Sequence, residues 1–243
     1  MPSKVLITGG SGFIGSHLMK RIEAKNCDLK IGRDTRSPLP TVDTIYHLGE
    51  YARVLTSFDD IDKVAEWNGI GTLRVIEHWR KTKCKLVYAG SSTKFGDAES
   101  PYSFFKAHNT ELIKKYGEWF GLDYAICYFY NVYGPGEKGT IISNFIESDV
   151  LKVNAPGTQK RIFTHVDDIV DGLVLVGEKG KGEYCLGSEE EYSVLEVADM
   201  FGKPITMQPE KRGDRTYSKI DYTRAYELGW KAKKSLKDYV RSI

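Results

Sequence analysis

Clustered cysteines and histidines are missing from this chain of 243 residues. The four cysteines lie far apart and form no C-x-x-C pair; they are Cys27, Cys84, Cys127 and Cys185. A disulfide framework and a metal site are therefore not expected, and we predict no metal ligands. Scattered cysteines fit a reducing compartment, so the sequence predicts a cytoplasmic protein.

Long apolar runs and an excess of one charge are missing as well. No run approaches the roughly 20 residues of a membrane span, and the N-terminus enters a strand pattern at once. We therefore expect neither a membrane span nor a signal peptide. Lys plus Arg number 35 against 33 acids, and a net charge of +2 gives no basic footprint for nucleic acid. The hydrophobic content of 41% suits a packed globular core.

The most informative stretch is residues 4–16, which read KVLITGGSGFIGS. A short apolar run predicts a buried parallel strand, glycines follow at Gly9, Gly12 and Gly15, and helical periodicity begins next. Here Gly9 permits a sharp turn, Gly12 lets backbone approach a pyrophosphate, and Gly15 lets helix pack on strand. Free N–H groups at the helix start would face the phosphates. The stretch predicts a dinucleotide site, with a tight turn that binds nothing as the alternative.

The polar turn after the second predicted strand, residues 28–31, bears on the choice of cofactor. Dinucleotide folds carry an acid near this place that holds the ribose hydroxyls, and Asp34 can do so. Arg33 and Arg36 flank this acid and can instead hold a 2′-phosphate. An exposed polar turn without a ligand is the third alternative, and the residues alone leave all three open.

Alternating strand and helix patterns predict the fold. Strand patterns run over residues 42–48, 84–89, 123–129 and 183–186. Helical patterns run over residues 61–81, 102–120, 167–176, 192–201 and 223–228. The alternation predicts an α/β fold with a Rossmann-type doubly wound parallel sheet, and the shorter elements after Gly134 predict a small C-terminal substrate-binding lobe. We assign residues 1–133 plus 162–187 to the dinucleotide-binding domain and 134–161 plus 188–243 to the lobe.

Tyr102 and Lys106 lie at the start of the helix predicted over 102–120. Their i, i+4 spacing puts both side chains on one face. A nearby ammonium and the helix N-terminus both stabilise a phenolate, so Tyr102 can take or give a proton at an alcohol or ketone. The spacing also arises often by chance, and an aromatic core residue with a surface lysine is the alternative.

Together, the glycine loop and this tyrosine–lysine pair resemble the short-chain dehydrogenase/reductase superfamily. More narrowly, the chain is similar to its extended branch, the NAD(P)-dependent nucleotide-sugar epimerases and dehydratases, from about Val5 to Tyr239. The further matching segments follow in chain order: Tyr46-His47-Leu48, Asn68-x-x-Gly71-Thr72, Asn131-Val132-Tyr133-Gly134-Pro135, Arg161-x-Phe163-x-x-Val166-Asp167-Asp168, Leu186-Gly187-Ser188, Arg212-Gly213-Asp214 and Leu228-Gly229-Trp230.

The resemblance implies a role for each matching position. Tyr102 would be the acid/base at the sugar C4 oxygen, Lys106 would bind the nicotinamide ribose, and Ser91 would hydrogen-bond the same C4 oxygen. NAD(P) would contact Gly9, Gly12, Phe13, Ile14, Gly15, Arg33, Asp34, Leu48, Asn68 and Lys106. A nucleotide-diphosphate sugar would contact Ser92, Asn131, Arg161 and Arg212. A homodimer through the helices that carry Asn68 and Tyr102 is also implied.

Three departures from the family pattern affect these expectations. The connection between the second and third strands is short, so we expect a sheet one strand smaller. Arg33 aligns with the family's carboxylate at the end of the second strand, which favours NADP. A shortened loop between Gly96 and Pro101 leaves the sugar pocket more open or closed by a partner subunit. Smaller changes are Glu50 in place of a small residue, Phe105 before the lysine, and Tyr128 where Arg is common.

The residues after Ser91 narrow the implied activity. Ser92 and Thr93 stand where the 4,6-dehydratases carry acids, and Thr93 stands where the 3,5-epimerase/4-reductases carry a cysteine. Both activities are therefore disfavoured. We expect a nucleotide-sugar 4-epimerase that works by transient C4 oxidation and hydride return. The alternatives are an NADPH-dependent 4-keto nucleotide-sugar reductase and a non-catalytic NAD(P)-binding protein.

Overall fold

The strands of the computed structural model, which describes residues 4–95, 99–210 and 220–243, are numbered in chain order. They are β1 Val5–Thr8, β2 Lys25–Cys27, β3 Thr44–His47, β4 Lys85–Ser91, β5 Tyr124–Phe129, β6 Asn131–Tyr133, β7 Leu151–Asn154, β8 Lys160–His165, β9 Gly182–Leu186, β10 Glu191–Ser193 and β11 Ile205–Gln208.

The helices alternate with these strands through most of the chain. They are α1 Phe13–Arg21, α2 Ile61–Val64, α3 Thr72–Thr82, α4 Pro101–Phe120, α5 Ile141–Glu147, α6 Val166–Lys179, α7 Val194–Phe201, α8 Thr223–Glu227 and α9 Leu236–Arg241. A π-helical segment, Ala65–Gly71, joins α2 to α3. The pattern over residues 61–81 is thus helical throughout but changes its hydrogen bonding in the middle.

A six-stranded parallel sheet in the order β2-β1-β3-β4-β5-β9 forms the centre of the fold. Its middle strands are short apolar runs buried on both faces, as a sheet covered by helices on each side requires. The architecture confirms the predicted Rossmann-type fold. Strand β2 is short and lies at one edge of the sheet. This edge position agrees with the expectation that the short connection between β2 and β3 makes the sheet one strand smaller.

Two apolar layers cover the sheet. On one face, α3 and α4 bury Ile76, Trp79 and Ile113 against β3, β4 and β5. On the other face, α1 and α6 bury Leu18 and Leu173, together with other apolar residues. Because both layers are continuous with the strands, the carboxyl ends of β1, β3 and β4 are held side by side in a fixed register.

Smaller sheets lie beyond β5. Strands β10, β8 and β6 form one sheet and β11 and β7 form another, with a third apolar cluster beneath them. The predicted division into a dinucleotide-binding domain and a lobe stays a prediction. The helix predicted over 192–201 begins later, at Val194, because Ser193 caps it and residues 191–193 pair with β8.

The prediction of a strand over residues 28–31 was wrong. Strand β2 ends at Cys27, and Leu29–Ile31 forms a 3₁₀ turn whose Leu29 and Ile31 are exposed. The cause is the Asp28 side chain, which accepts a hydrogen bond from the Lys30 N–H at 2.8 Å and stabilises a turn instead of an extended chain. Gly32 then ends the turn in the left-handed region, with φ of 71°.

Candidate active site

The predicted glycine loop joins β1 to α1 in a tight turn. Gly9 has φ of +72°, and a Cβ there would lie 2.7 Å from the Gly49 backbone. A Cβ on Gly15 would lie 2.0 Å from the Gly9 carbonyl oxygen, so helix and strand pack too closely for any side chain. Gly12 differs, because its Cβ would meet only the Gly9 carbonyl oxygen, at 3.1 Å. The outer side of Gly12 is therefore an open cradle at the start of α1.

The start of α1 has no side-chain cap, so its first N–H groups are available to a ligand. The predicted contact residues Phe13 and Ile14 form this first turn, and Leu48 follows β3 beside it. All three pack partly buried against the core on that face of the sheet. The structure thus brings the glycine loop, Phe13, Ile14 and Leu48 together at one edge of the sheet.

An acid that the sequence analysis missed lies at the end of β2. Asp28 directly follows Cys27, and its carboxylate accepts a hydrogen bond from the Ser11 N–H of the glycine loop at 2.9 Å. An acid at this place in a dinucleotide fold holds the ribose hydroxyls. The assignment of the second strand to residues 28–31 hid this acid, because it moved the strand end several residues too far.

The predicted ribose contacts Arg33 and Asp34 lie beyond the 3₁₀ turn instead of at the strand end. Arg33 donates to the Asn26 carbonyl oxygen at 3.2 Å. Asp34 accepts from the Arg36 side chain, which lowers the pKa of Asp34, and Arg36 also pairs with Glu66 of the π-helical segment. The end of β2 therefore carries Asp28 and not Arg33, so the argument for NADP that placed Arg33 there loses its basis, while the predicted contacts of Arg33 and Asp34 with the cofactor stay predictions.

Tyr102 and Lys106 lie one turn apart at the start of α4, as predicted. Ser100 caps this helix, since its hydroxyl accepts from the Ser103 N–H at 3.1 Å while the Ser103 hydroxyl accepts from the Ser100 N–H at 2.7 Å. Pro101 at the first helical position further favours a helix start here. Tyr102 and Lys106 are both buried, and the ammonium of Lys106 donates to the Ala89 carbonyl oxygen of β4 at 2.7 Å.

Ser91 is the last residue of β4 and is also buried. Its hydroxyl oxygen accepts hydrogen bonds from the Thr93 N–H at 3.2 Å and from the Thr93 hydroxyl at 2.9 Å. Ser92 begins the 3₁₀ turn that follows and is buried as well. Both predicted residues therefore lie at the carboxyl end of the strand whose Ala89 carbonyl holds Lys106.

A buried carboxylate, Glu50, contacts Lys106. The loop after β3 carries Glu50 under α4, where its side chain is 1% exposed and its Oε2 accepts a hydrogen bond from the Lys106 ammonium. Its Oε1 accepts from Thr72 of α3 at 2.7 Å and from Asn109 of α4 at 2.8 Å. Burial opposes the charged form, but the Lys106 charge and these hydrogen bonds outweigh it and hold the pKa of Glu50 below its ordinary value.

The hydrogen-bonded chain continues from Glu50 to His47. Because the Thr72 hydroxyl donates to Glu50, it must accept from His47 Nε2, at 3.0 Å. His47 Nδ1 then accepts from the Thr8 hydroxyl at 2.6 Å, and that hydroxyl oxygen accepts from the Gly49 N–H at 3.1 Å. This network assigns a neutral Nε2–H tautomer. Burial lowers the pKa of His47 to about 4, against the opposing charge of Glu50.

Asn68, predicted to contact the cofactor, is fully buried in the π-helical segment. Its side-chain oxygen accepts from the Tyr51 N–H at 2.6 Å, and its amide nitrogen donates to the Tyr51 carbonyl oxygen at 3.0 Å. The predicted cofactor contact stays a prediction, and the structure adds a role in positioning the loop after β3. Asn68 holds the loop that carries Glu50, and its own carbonyl oxygen accepts from Asn109 at 2.7 Å.

The predicted substrate contacts Asn131 and Arg161 lie on neighbouring strands of the smaller sheet. Asn131 is the first residue of β6, and its side-chain amide donates a hydrogen bond to the Ile162 carbonyl oxygen of β8 at 3.2 Å. Ile162 directly follows Arg161 in the chain. Arg161 is buried and donates to the Lys160 carbonyl oxygen at 2.8 Å. Arg212 lies outside the described residues. Within those residues, no cluster of His, Cys, Asp or Glu could hold a metal ion.

The family of the chain follows from a comparison with protein-family models. The model of the NAD dependent epimerase/dehydratase family matches residues 5–187. The chain belongs to this family. The match runs from β1 through β9, so it contains the glycine loop, Glu50 and the tyrosine–lysine pair.

Similar proteins carry two kinds of activity in their names. UDP-glucuronic acid decarboxylase 5 of Arabidopsis thaliana is 29% identical over 294 residues, covering 97% of this chain and 86% of the relative. A putative UDP-glucose 4-epimerase of Methanocaldococcus jannaschii is 27% identical over 300 residues, covering 98% and 96%. Both alignments are longer than the 243 residues of this chain, so the relatives carry segments that it lacks.

Solved structures agree with the fold. MoeE5 in complex with UDP-glucose and NAD superposes with a TM-score of 0.89 at 26% identity, covering 98% of this chain and 96% of that one. MoeE5 in complex with UDP-glucuronic acid and NAD gives a TM-score of 0.87 at 25% identity, covering 98% and 97%. In the described residues of our chain, no helix is long and apolar enough to cross a membrane.

Proposed function

We propose that this protein is an NAD-dependent 4-epimerase of a nucleotide-diphosphate sugar. The observation that carries the proposal is the pairing of Tyr102 and Lys106 on one face of α4, against the end of β4 where Ser91 lies. The family match supports the general chemistry, and the relative named as a putative UDP-glucose 4-epimerase supports this member of it.

The residues at the glycine loop fit a dinucleotide. The cradle at Gly12 and the uncapped start of α1 offer backbone N–H groups to a pyrophosphate, and Asp28 offers a carboxylate to ribose hydroxyls. When bound, NAD would accept the hydride from the sugar C4 and later return it. We favour NAD over NADP, because the Asp28 carboxylate would repel a 2′-phosphate and because MoeE5 holds NAD.

Tyr102 is the group that we propose to move a proton at the sugar. As the C4 hydroxyl becomes a ketone, the Tyr102 oxygen takes its proton, and the Ser91 hydroxyl donates to the same C4 oxygen. Tyr102 gives the proton back when the alcohol forms again on the other face. The Lys106 ammonium and the start of α4 favour the charged phenolate during this exchange.

The substrate class rests on the relatives and on two side chains. MoeE5 binds UDP-sugars, and the names of the relatives refer to UDP-sugars. We propose that Asn131 and Arg161 hold the diphosphate of a UDP-sugar, since a guanidinium matches paired phosphate oxygens. Arg212 is proposed to join them from outside the described residues.

Decarboxylation of UDP-glucuronic acid is the second candidate, favoured by the relatives that carry this name. Oxidation at C4 of a sugar with a carboxylate on C5 gives a β-keto acid, which loses CO₂ and takes up a proton at C5. The same Tyr102, Lys106 and Ser91 serve both reactions up to the ketone. A 4-keto reductase has less support, because Arg33 does not lie at the end of β2.

A homodimer is proposed from the apolar face formed by α4 and the neighbouring helical segment. Phe104 and Trp119 of α4 are 67% and 62% exposed, and Ile70 and Leu73 beside them are exposed as well. A second copy packed on this face would bury them in a symmetric contact. A cytoplasmic location remains a proposal from the sequence.

The test is to incubate the purified protein with NAD and either UDP-glucose, UDP-galactose or UDP-glucuronic acid, and to follow products by NMR and mass spectrometry. A product of unchanged mass supports the epimerase, and loss of CO₂ supports the decarboxylase. Tyr102→Phe should lower turnover by about 10²–10⁴-fold. Tyr116→Phe is the matched control, since Tyr116 lies farther along α4 and donates to Glu77. Equal turnover by Tyr102→Phe and the unmodified protein would remove the proposal.

A further inference from the structure

Glu50 brings a second charge to the floor of the candidate site. It follows β3 in the chain, and α3, α4 and β4 surround its side chain. The side chains of Glu50 and Lys106 are 1% and 7% exposed, so neither charge is screened by water. The resemblance to the family implies a small residue at this place, so we expect the ion pair to distinguish this chain.

The carboxylate of Glu50 has a complete set of donors. Oε2 accepts from Lys106, while Oε1 accepts from Thr72, from Asn109 and, at 3.1 Å, from the Tyr88 hydroxyl. Burial and the charge of Glu50 raise the pKa of Tyr88, which therefore stays a donor. Donors from two helices, α3 and α4, and one strand, β4, converge on this carboxylate. A buried charge requires such a set of hydrogen-bond partners.

Lys106 is held from two sides. Of its three donors, one points to Glu50 and one to the Ala89 carbonyl oxygen at 2.7 Å. Its nitrogen also lies 5.0 Å from the centre of the Tyr88 ring. These contacts hold the ammonium against β4. They use two of its three N–H donors, and the third points in another direction. A lysine side chain without such partners would have many rotamers to lose on binding a ligand.

We propose that Glu50 is the counter-ion of Lys106, which it holds against β4 and whose charge it offsets beside Tyr102. Glu50 is thus a positioning residue that acts through Lys106. The inference rests on the proposed function, in which Lys106 and Tyr102 act together on one substrate oxygen. The proton transfer at Tyr102 would then depend on the charges of both Glu50 and Lys106 instead of on Lys106 alone.

Other groups around the Glu50–Lys106 pair could also influence the charge of the site through their protonation states. Among the described residues, the titratable ones are His47 from β3 and Tyr88 from β4, and Tyr102 of α4 lies within electrostatic range of Tyr88. His47 is neutral at physiological pH, and Tyr88 is protonated. Thr72 on α3 and Asn109 on α4 contribute neutral dipoles. Of the described groups in contact with the pair, Glu50 and Lys106 themselves therefore carry the charge near neutral pH.

A stability cycle tests the pairing without any need for turnover. Lys106→Met leaves the Glu50 charge buried without its partner, whereas Glu50→Gln together with Lys106→Met removes both charges. We expect the double variant to have a folded-to-unfolded ratio at least about tenfold above that of Lys106→Met in urea titrations at neutral pH. Additive effects of the two substitutions would overturn the proposal.

A pH profile tests the offset of charge. Glu50→Gln keeps the shape of the side chain but removes the negative charge, so the phenolate of Tyr102 is stabilised more. The midpoint of the acid limb of kcat/KM should move down by about one pH unit. Glu118→Gln is the matched control, since it removes an acid from an exposed pair with Lys115 on the same helix. A profile that superimposes on that of the unmodified protein would overturn the proposal.

The two experiments separate this inference from the proposed function. An unmodified protein that turns over no sugar contradicts the proposed function, and the stability cycle then decides whether Glu50 is the counter-ion. An active protein with an unshifted Glu50→Gln profile keeps the proposed function and rejects the role of Glu50.

Discussion

The neutral, buried His47 should make the fold sensitive to mild acid. Its ring is fully buried between the Thr8 and Thr72 hydroxyls, and burial lowers its pKa to about 4. In the unfolded chain the same ring takes up a proton as the pH falls through about 6.5. Between these two values the unfolded state binds more protons than the folded state, so stability falls as the pH falls.

The size of the effect follows from the two pKa values. With about 4 in the fold and about 6.5 in the unfolded chain, linkage predicts a loss of about 2 kcal/mol between about pH 7.5 and about pH 5. Glu50 contributes at lower pH, because its pKa lies below its ordinary value and its stabilisation is lost only as the pH falls through that region. Between pH 5 and 7, the change in stability with pH therefore comes mainly from the protonation of histidine.

The assay is urea unfolding, followed by tryptophan fluorescence at a series of pH values, for the unmodified protein and His47→Asn. The variant will be less stable at every pH, because it loses packing and hydrogen bonds, but its stability should fall by about 2 kcal/mol less between pH 7.5 and pH 5. His165, whose pKa burial also lowers, is present in both proteins and cancels in the difference. His108→Asn, which removes an exposed histidine of α4, is the control. Parallel curves for His47→Asn and the unmodified protein would refute the reasoning.

Two further predictions concern the dinucleotide site. Gly12→Ala adds a methyl group that meets only the Gly9 carbonyl oxygen, at 3.1 Å, so we expect a small change in melting temperature but clearly weaker NAD binding by calorimetry. A loss of NAD affinity no larger than that of a surface variant would argue against the cradle. Asp28→Asn removes the charge at the end of β2, so the ratio of NADP affinity to NAD affinity should rise by about tenfold or more. An unchanged ratio would show that Asp28 does not select the cofactor.

Much of the fold could be predicted because its elements are defined by local signals. The apolar runs of β1, β4 and β5 and the Ser100–Pro101 start of α4 need no tertiary context. The prediction was wrong at residues 28–31, where Leu29 and Ile31 suggest a strand but the Asp28 side chain stabilises a turn. A short polar side chain that bonds its own backbone can outweigh two apolar residues in a segment this brief.

The candidate site was less predictable, because its electrostatics depend on packing. The tyrosine–lysine spacing on α4 is visible in the sequence, but a lone acid after β3 gives no sign that it will be buried. Only the packing of α3 and α4 over that loop brings Thr72 and Asn109 to Glu50. The burial of Asn68 could not be predicted from the sequence for the same reason. Its hydrogen-bond partner is the backbone of Tyr51, so no side chain in the sequence indicates the contact.

Stability gives little reason for a buried Glu50–Lys106 pair. Removing water from two charges costs several kcal/mol, and their attraction offsets this cost without a clear surplus, so apolar residues of the same size stabilise a core as well or better. The chain nevertheless gives Glu50 four hydrogen-bond donors and places the lysine one turn from Tyr102. An arrangement that adds little to stability, yet fixes an ammonium one helical turn from Tyr102 at the carboxyl edge of a Rossmann-type sheet, is best explained by what that ammonium does there. The pair is therefore where we expect the chemistry of this chain to differ from that of its relatives.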